Sequence, residues 1–127
     1  MKLLSVIAGG GLGALLRYIV SGATYKALGS TFPWGTLMVN LVGSFLIGLL
    51  WALSERVIMP PHLRTFLFIG VLGAFTTFST YSLETAHLLR EGEFGLALWN
   101  LMLSNGLGII LVLVGFTASR YLVYLFR

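Results

Sequence analysis

Uncharged stretches, separated by short segments that carry charges or proline, dominate this chain. The charge-free runs cover residues 3–16, 27–54, 65–83 and 94–119. A helix that crosses a bilayer needs about 20 mostly apolar residues. The last three runs meet or nearly meet that length, and the first continues through Arg17 to about Thr24. We therefore predict an all-α membrane protein with one domain over residues 1–127 and four transmembrane helices, at about 3–24, 34–53, 64–89 and 96–124.

The third predicted span is interrupted by hydroxyl side chains. They are Thr76, Thr77, Ser79, Thr80 and Ser82, and two glycines stand just ahead, Gly70 and Gly73. Hydroxyls at membrane depth need partners from other helices, from freed backbone groups or from a permeating ion. We therefore predict that the helix breaks between Gly73 and Thr77. Such a break is tolerable only inside protein or along a polar cavity.

The other spans carry small or amide side chains at helical spacing. In the first span, Gly9 and Gly13 form a GxxxG pair, which lets two helix backbones approach closely. In the second span, Asn40 is costly to bury unless it is hydrogen-bonded. It either makes an interhelical hydrogen bond or directs an amide donor into a pore. In the fourth span, Asn100 and Ser104 lie four residues apart and share one stripe.

The composition also indicates an integral membrane protein. The chain is 57% hydrophobic and 9% charged, with a mean hydropathy of +0.96, whereas soluble domains average about 25% charged residues. The net charge of +4 does not indicate nucleic acid binding, because membrane proteins keep Lys and Arg at helix ends. The sequence has no cysteine, which excludes disulfides, and no nucleophile lies at a plausible spacing from a base. We predict that the protein is not an enzyme.

Two charged residues inside the predicted spans leave alternatives open. Arg17 either extends its side chain to the interface or attracts an anion into a vestibule. Glu84 is the only acid inside a span. It is either a functional ionisable group or close enough to the helix end to face water.

The distribution of Lys and Arg gives only a weak orientation signal. With four spans, both termini lie on one side of the membrane, and that side carries Lys2, Arg56, Arg64, Arg120 and Arg127. The opposite side carries Lys26, Arg90 and Arg17. Because five against three is a small excess, the chain is compatible with insertion in both orientations.

The segment GAFTTFSTYSLE at residues 73–84 resembles the Fluc (CrcB) family of bacterial fluoride channels. Further motifs extend the resemblance over nearly the whole chain: GGGLG at 9–13 with Arg17, PWGTLMVNLVG at 33–43, and the turn with Gly92 and Phe94 before Trp99 and Asn100. One departure stands inside the most specific motif, because Tyr81 occupies a position where this family usually has phenylalanine.

The resemblance implies a dual-topology homodimer of antiparallel four-helix subunits in the bacterial cytoplasmic membrane. It also implies two fluoride pores per dimer, through which cytoplasmic fluoride leaves by passive electrodiffusion, reducing fluoride toxicity. A structural Na⁺ is implied at the dimer centre, held by backbone carbonyls that match Gly73 and Thr76. The pore positions of the family match Asn40, Phe78, Ser79, Thr80, Tyr81 and, on the fourth helix, Ser104.

The chemistry of these side chains is consistent with an anion pore. Fluoride is small and strongly hydrated, so a pore must replace its water with protein donors. Asn40 offers an amide N–H, and Ser79, Thr80 and Ser104 offer hydroxyls. Aromatic rings are positive at their edges, so Phe78 and Tyr81 turned edge-on would contact an anion without trapping it.

Two other functions compete with a fluoride channel. A small four-helix proton-coupled multidrug exporter would place a carboxylate deep in its cavity, but the first span has none and Glu84 lies off-centre. A non-transporting assembly subunit would explain the glycine faces but not the clustered hydroxyls. Partners expected under the channel hypothesis are the fluoride ion, a second copy of this chain and the lipid bilayer.

Overall fold

The computed structural model describes residues 1–126, which form helices and the turns between them. Four of the helical segments are long and apolar enough to cross a membrane: Lys2–Leu28, Trp34–Ser54, Pro61–Arg90 and Phe94–Leu125. We name the first two α1 and α2. The third segment divides into α3, residues 61–75, and α4, Phe78–Arg90, and the fourth is α5. The predicted all-α fold with a broken third span is confirmed.

The turns between the helices follow from local sequence. Gly29 ends α1 with φ of 84°, and Gly92 has φ of 76° in the turn between α4 and α5. These are left-handed conformations that glycine adopts without a Cβ penalty. Pro60 is the N-cap of α3 and Pro61 is its first residue, where proline costs no intrahelical hydrogen bond.

Helix α1 packs along α3 through its glycine face. Gly9 and Gly13 are the buried residues of α1, and a Cβ built on Gly13 overlaps the carbonyl oxygen of Val71. On the facing helix, a Cβ on Gly70 would lie 2.7 Å from the Cα of Gly9. The GxxxG prediction for Gly9 and Gly13 is confirmed, and the two backbones are in direct contact.

Helix α2 packs along α5 by the same means. A Cβ on Gly48 overlaps the carbonyl of Val112, and one on Gly115 overlaps the carbonyl of Phe45. Since lipid tails are as apolar as the side chains, close van der Waals packing of backbones takes over the role that the hydrophobic effect has in water.

The third span loses its helical ladder at Thr76 and Thr77. Both residues are extended, with φ/ψ of −86°/156° at Thr76 and −149°/117° at Thr77. The predicted break is therefore confirmed, and it lies at the C-terminal end of the expected interval. Just before it, Thr65–Leu72 forms a π-helix, as does Leu103–Leu107 in α5. Such wide turns are frequent at functional sites.

The glycine contacts predict a specific loss of stability. We expect Gly13→Ala to lower the free energy of unfolding by about 1–3 kcal/mol, because the new methyl group forces α1 away from α3. Gly11→Ala is the matched control, since a Cβ there has no atom within 4 Å and alanine favours the helix. Thermal unfolding in detergent measures both, and equal melting temperatures would contradict the close packing of α1 on α3.

Candidate functional site

A cavity of about 370 Å³ lies beside the break in the third span, and its walls combine apolar side chains, among them Ile47, Phe68 and Leu72, with polar ones. Three elements and the break itself supply its polar walls: Asn40 and Ser44 from α2, Thr76 and Thr77 from the break, Tyr81 from α4, and Ser104 and Asn105 from α5. Gly73 and Phe78 also line it. Among the described residues, none that lines this cavity carries a charge. The cavity can therefore contact a ligand through neutral donors and acceptors only.

Asn40 holds the broken backbone from the neighbouring helix. Its Nδ2 donates to the carbonyl oxygen of Thr77 at 3.0 Å, and its Oδ1 accepts from the N–H of Thr77 at 2.8 Å. One amide side chain thus satisfies both peptide groups that the break exposes at this residue. Because an amide nitrogen carries two hydrogens, the second N–H of Asn40 remains available to the cavity.

The break leaves carbonyl groups without their helical donors, and those of Gly73 and Thr76 are among them. In an unbroken α-helix, the N–H of Thr77 would donate to Gly73 and that of Thr80 to Thr76. The first donates to Asn40 instead, and the second donates to the Oγ1 of Thr77 at 3.3 Å, which caps α4. The freed carbonyls of Gly73 and Thr76 are hard oxygen ligands of the type that small cations such as Na⁺ prefer.

Phe78 and Tyr81 lie on one face of α4, as their spacing predicted. Their ring centroids are 5.7 Å apart and the ring planes meet at 51°. Phe78 is 78% exposed at the rim of the cavity, whereas Tyr81 is only 8% exposed. The hydroxyl of Tyr81 accepts a hydrogen bond from Nδ2 of Asn105 at 3.0 Å.

Ser104 reaches the cavity at the end of a buried hydrogen-bond chain. Its Oγ donates to the Oδ1 of Asn100 at 3.3 Å, and Nδ2 of Asn100 donates to Oγ1 of Thr85 at 2.9 Å. Asn100 is 1% exposed, so its amide links α4 to α5 away from lipid. The bond from Ser104 is long, and rotation of the hydroxyl exchanges it for a ligand in the cavity at small cost.

A second cavity, of about 350 Å³, lies between α1, α2 and α4 and contains the two charged residues of the spans. Arg17, Thr80 and Glu84 all line it. The carboxylate of Glu84 accepts from Oγ1 of Thr36 at 2.6 Å and from the hydroxyl of Tyr25 at 3.1 and 3.3 Å. Glu84 is thus half-buried and hydrogen-bonded, and it also lines a third cavity with Ser30, Thr31, His87 and Glu91 at the end of the bundle.

The structure therefore divides the predicted site residues between two places. The cavity at the break brings together Asn40, Gly73, Thr76, Phe78, Tyr81 and Ser104. The second cavity holds Arg17, Thr80 and Glu84. Ser79 is exposed on α4 and lines neither cavity.

The sequence reasoning missed three contacts. It did not assign Tyr25 and Thr36 to Glu84, or Asn105 to Tyr81. The polar side chains within apolar spans indicated that such hydrogen bonds exist, but not which residues form them. Their partners lie 24 to 59 residues away in the chain, so pairing them required the packing of the helices.

Comparison with known proteins identifies the family to which this chain belongs. Residues 4–116 match the model of the family described as CrcB-like protein, Camphor Resistance (CrcB). The chain belongs to this family. The CrcB-like match contains both cavities and every predicted site residue.

CrcB-like relatives similar to this chain are named "Fluoride-specific ion channel FluC". One from Magnetococcus marinus is 46% identical and the alignment covers 94% of this chain and 98% of the relative. One from Salinibacter ruber is 49% identical, with 96% and 92% covered. One from Parabacteroides distasonis is 39% identical, with 100% and 99% covered. The similarity therefore extends over nearly the full length of these proteins.

The contact between Asn40 and the break in this CrcB-like chain is testable. We expect Asn40→Leu to lower the free energy of unfolding by about 2 kcal/mol or more, because both peptide groups of Thr77 lose their partner. Amide hydrogen exchange should accelerate at Thr77. Ser44→Ala is the control, since within residues 1–126 its hydroxyl bonds only to the backbone of its own helix. Unchanged exchange at Thr77 in Asn40→Leu would contradict this role.

Proposed function

We propose that this protein is a fluoride-selective ion channel that lets cytoplasmic fluoride leave by passive electrodiffusion. The observation that carries the proposal is the uncharged, donor-lined cavity where the third span breaks. The names of its relatives, which describe fluoride-specific ion channels, support the same assignment.

The side chains in this cavity suit a small, strongly hydrated halide. The free N–H of Asn40 and the hydroxyl of Ser104 are neutral donors that replace hydration water. The rings of Phe78 and Tyr81 add positive edges. Neutral donors and ring edges bind the anion less tightly than a buried cation would. The anion can therefore leave the site.

A proton-coupled multidrug exporter is less consistent with this site. Such a mechanism needs a titratable carboxylate where the substrate binds, and among the described residues no carboxylate lines the cavity at the break. Glu84 lines the other cavity, where its oxygens are occupied by Tyr25 and Thr36.

Exposed residues beside the break support a homodimer, because Thr77 itself is buried within the subunit whereas several of its neighbours are not. Phe78 is 78% exposed, and Gly73, Ser79 and Asn105 are exposed as well. Extended backbone at membrane depth is tolerable only when protein or an aqueous cavity covers it. A second copy in antiparallel orientation would cover the break and form two pores per dimer, consistent with the weak charge bias.

A structural Na⁺ fits the oxygen atoms at the break. The carbonyls of Gly73 and Thr76 lack helical donors, and together with their symmetry mates in a dimer they would hold the ion. When bound, Na⁺ would satisfy these oxygens and make the pore region more positive for an anion. Under this proposal the protein resides in the cytoplasmic membrane, where hydrogen fluoride that has entered and ionised requires an exit route.

Fluoride flux is the direct test of this function. Purified protein in liposomes should release fluoride rapidly and selectively, as measured with a fluoride electrode. Phe78→Ile should reduce the flux by about tenfold or more, corresponding to loss of about 1.4 kcal/mol of ring-edge contact. Phe94→Ile is the matched control, because Phe94 is an exposed phenylalanine that lines neither cavity.

Three results would contradict the proposal. A chloride flux equal to the fluoride flux would show that the protein does not select fluoride. Uphill uptake of a cationic drug under a proton gradient would favour the exporter. Failure to conduct any ion would favour the assembly subunit.

Dual topology predicts a specific labelling pattern. The sequence has no cysteine, so Glu91→Cys and Glu55→Cys each introduce a single thiol at opposite ends of the bundle. In intact cells, a membrane-impermeant maleimide should label about half of the molecules of each variant, as the weak charge bias predicts. Full labelling of one variant and none of the other would show a single orientation.

A further inference from the structure

The hydroxyl of Tyr81 distinguishes this chain from a channel with phenylalanine at the same place. Tyr81 is 8% exposed, and it lines the cavity at the break beside Asn105. Its hydroxyl lies 3.0 Å from Nδ2 of Asn105. A phenylalanine would fill the same volume for the ring but would leave Asn105 with no partner on α4.

The orientation of the Asn105 amide determines which atom donates in this pair. Nδ2 of Asn105 also donates to the carbonyl oxygen of Leu101 at 2.8 Å. The carbonyl oxygen of Leu101 can only accept a hydrogen bond, so the atom of the Asn105 amide that faces it must be the nitrogen. The same nitrogen faces Tyr81, and the Tyr81 oxygen therefore acts as the acceptor. Both hydrogens of the amide are then in use.

The hydrogen of the Tyr81 hydroxyl consequently remains free. Within residues 1–126, the hydrogen bonds of this hydroxyl comprise only the one it accepts from Asn105. A phenol O–H that lacks an acceptor in a membrane-embedded cavity is costly unless a ligand or water accepts from it. The amide of Asn40 and the hydroxyl of Ser104 are also among the donors that line this cavity.

We propose that the Tyr81 hydroxyl is an additional fluoride-binding donor of this channel, and that Asn105 is the residue that positions it. This inference rests on the function proposed above and deepens it, because it names a specificity-determining group. An O–H directed at an anion is a charge-assisted hydrogen bond, stronger than the contact of a ring edge. The bond that the Tyr81 oxygen accepts from Asn105 also polarises the hydroxyl and makes it a better donor, since hydrogen bonds in a chain reinforce one another.

The first test compares Tyr81→Phe with the wild-type protein in liposomes. The fluoride concentration that gives half-maximal flux should rise about tenfold, the usual size of one hydrogen bond to a charged group. Tyr124→Phe is the matched control, because Tyr124 is an exposed tyrosine near the end of α5 that lines neither cavity. It should leave the half-saturating concentration unchanged.

The second test examines whether Asn105 acts through Tyr81. Asn105→Leu should raise the half-saturating concentration less than Tyr81→Phe does. The double variant should match Tyr81→Phe alone, because Asn105 has nothing to position once the hydroxyl is gone. Additive effects would overturn the positioning role of Asn105.

A spectroscopic measurement separates a donor from a packing role. Addition of sodium fluoride to wild-type protein should produce a tyrosine absorbance difference, and sodium nitrate should not. The signal should disappear in Tyr81→Phe and persist in Tyr124→Phe. An unchanged half-saturating concentration and an unchanged spectrum in Tyr81→Phe would overturn this inference and leave the fluoride channel intact. A wild-type protein that passes no fluoride would overturn both.

Discussion

The reciprocal pair of hydrogen bonds between the Asn40 side chain and the Thr77 peptide is the interaction on which the site depends. Water is absent from the hydrocarbon core, so each exposed peptide group there costs several kcal/mol. Thr77 is extended and has no place in a helical ladder. Asn40 supplies one donor and one acceptor to it and thereby makes a broken helix stable at this depth.

Close approach of the helices makes that pair possible. A Cβ on Gly43, one turn from Asn40, would overlap Cγ2 of Thr76, so only glycine lets α2 reach the break. Gly9 and Gly13 hold α1 against α3, just before the break. Small residues therefore set the distance between backbones, and this distance is short enough for the Asn40 amide to bond to the Thr77 peptide. The cavity is the space left where the third span turns aside.

The polar side chains around the break are sorted by charge. Neutral donors gather in the cavity beside Asn40, and under the proposed function they would stabilise an anion without a buried cation to hold it. Arg17 and Glu84 lie in the second cavity, and Tyr25 and Thr36 fix the carboxylate there. Thr77 lines both cavities, so the break itself is the wall between a neutral region and a charged one. That arrangement keeps the carboxyl group of Glu84 away from the pore proposed for fluoride.

Apolar runs, together with the glycines and threonines of the third span, were enough to predict four spans and a break. Both properties arise locally, from burial in lipid and from the weakness of the helical ladder at those residues. The spacing of Phe78 and Tyr81 also determined their shared face, because three residues make nearly one helical turn. Tertiary structure decided the rest. Which polar side chains become partners depends on which helix faces meet. This holds for three pairings: Asn40 with Thr77, Tyr25 and Thr36 with Glu84, and Asn105 with Tyr81. Helix register and rotation are set by the packing of many small residues at once, and no single stretch of sequence contains that information.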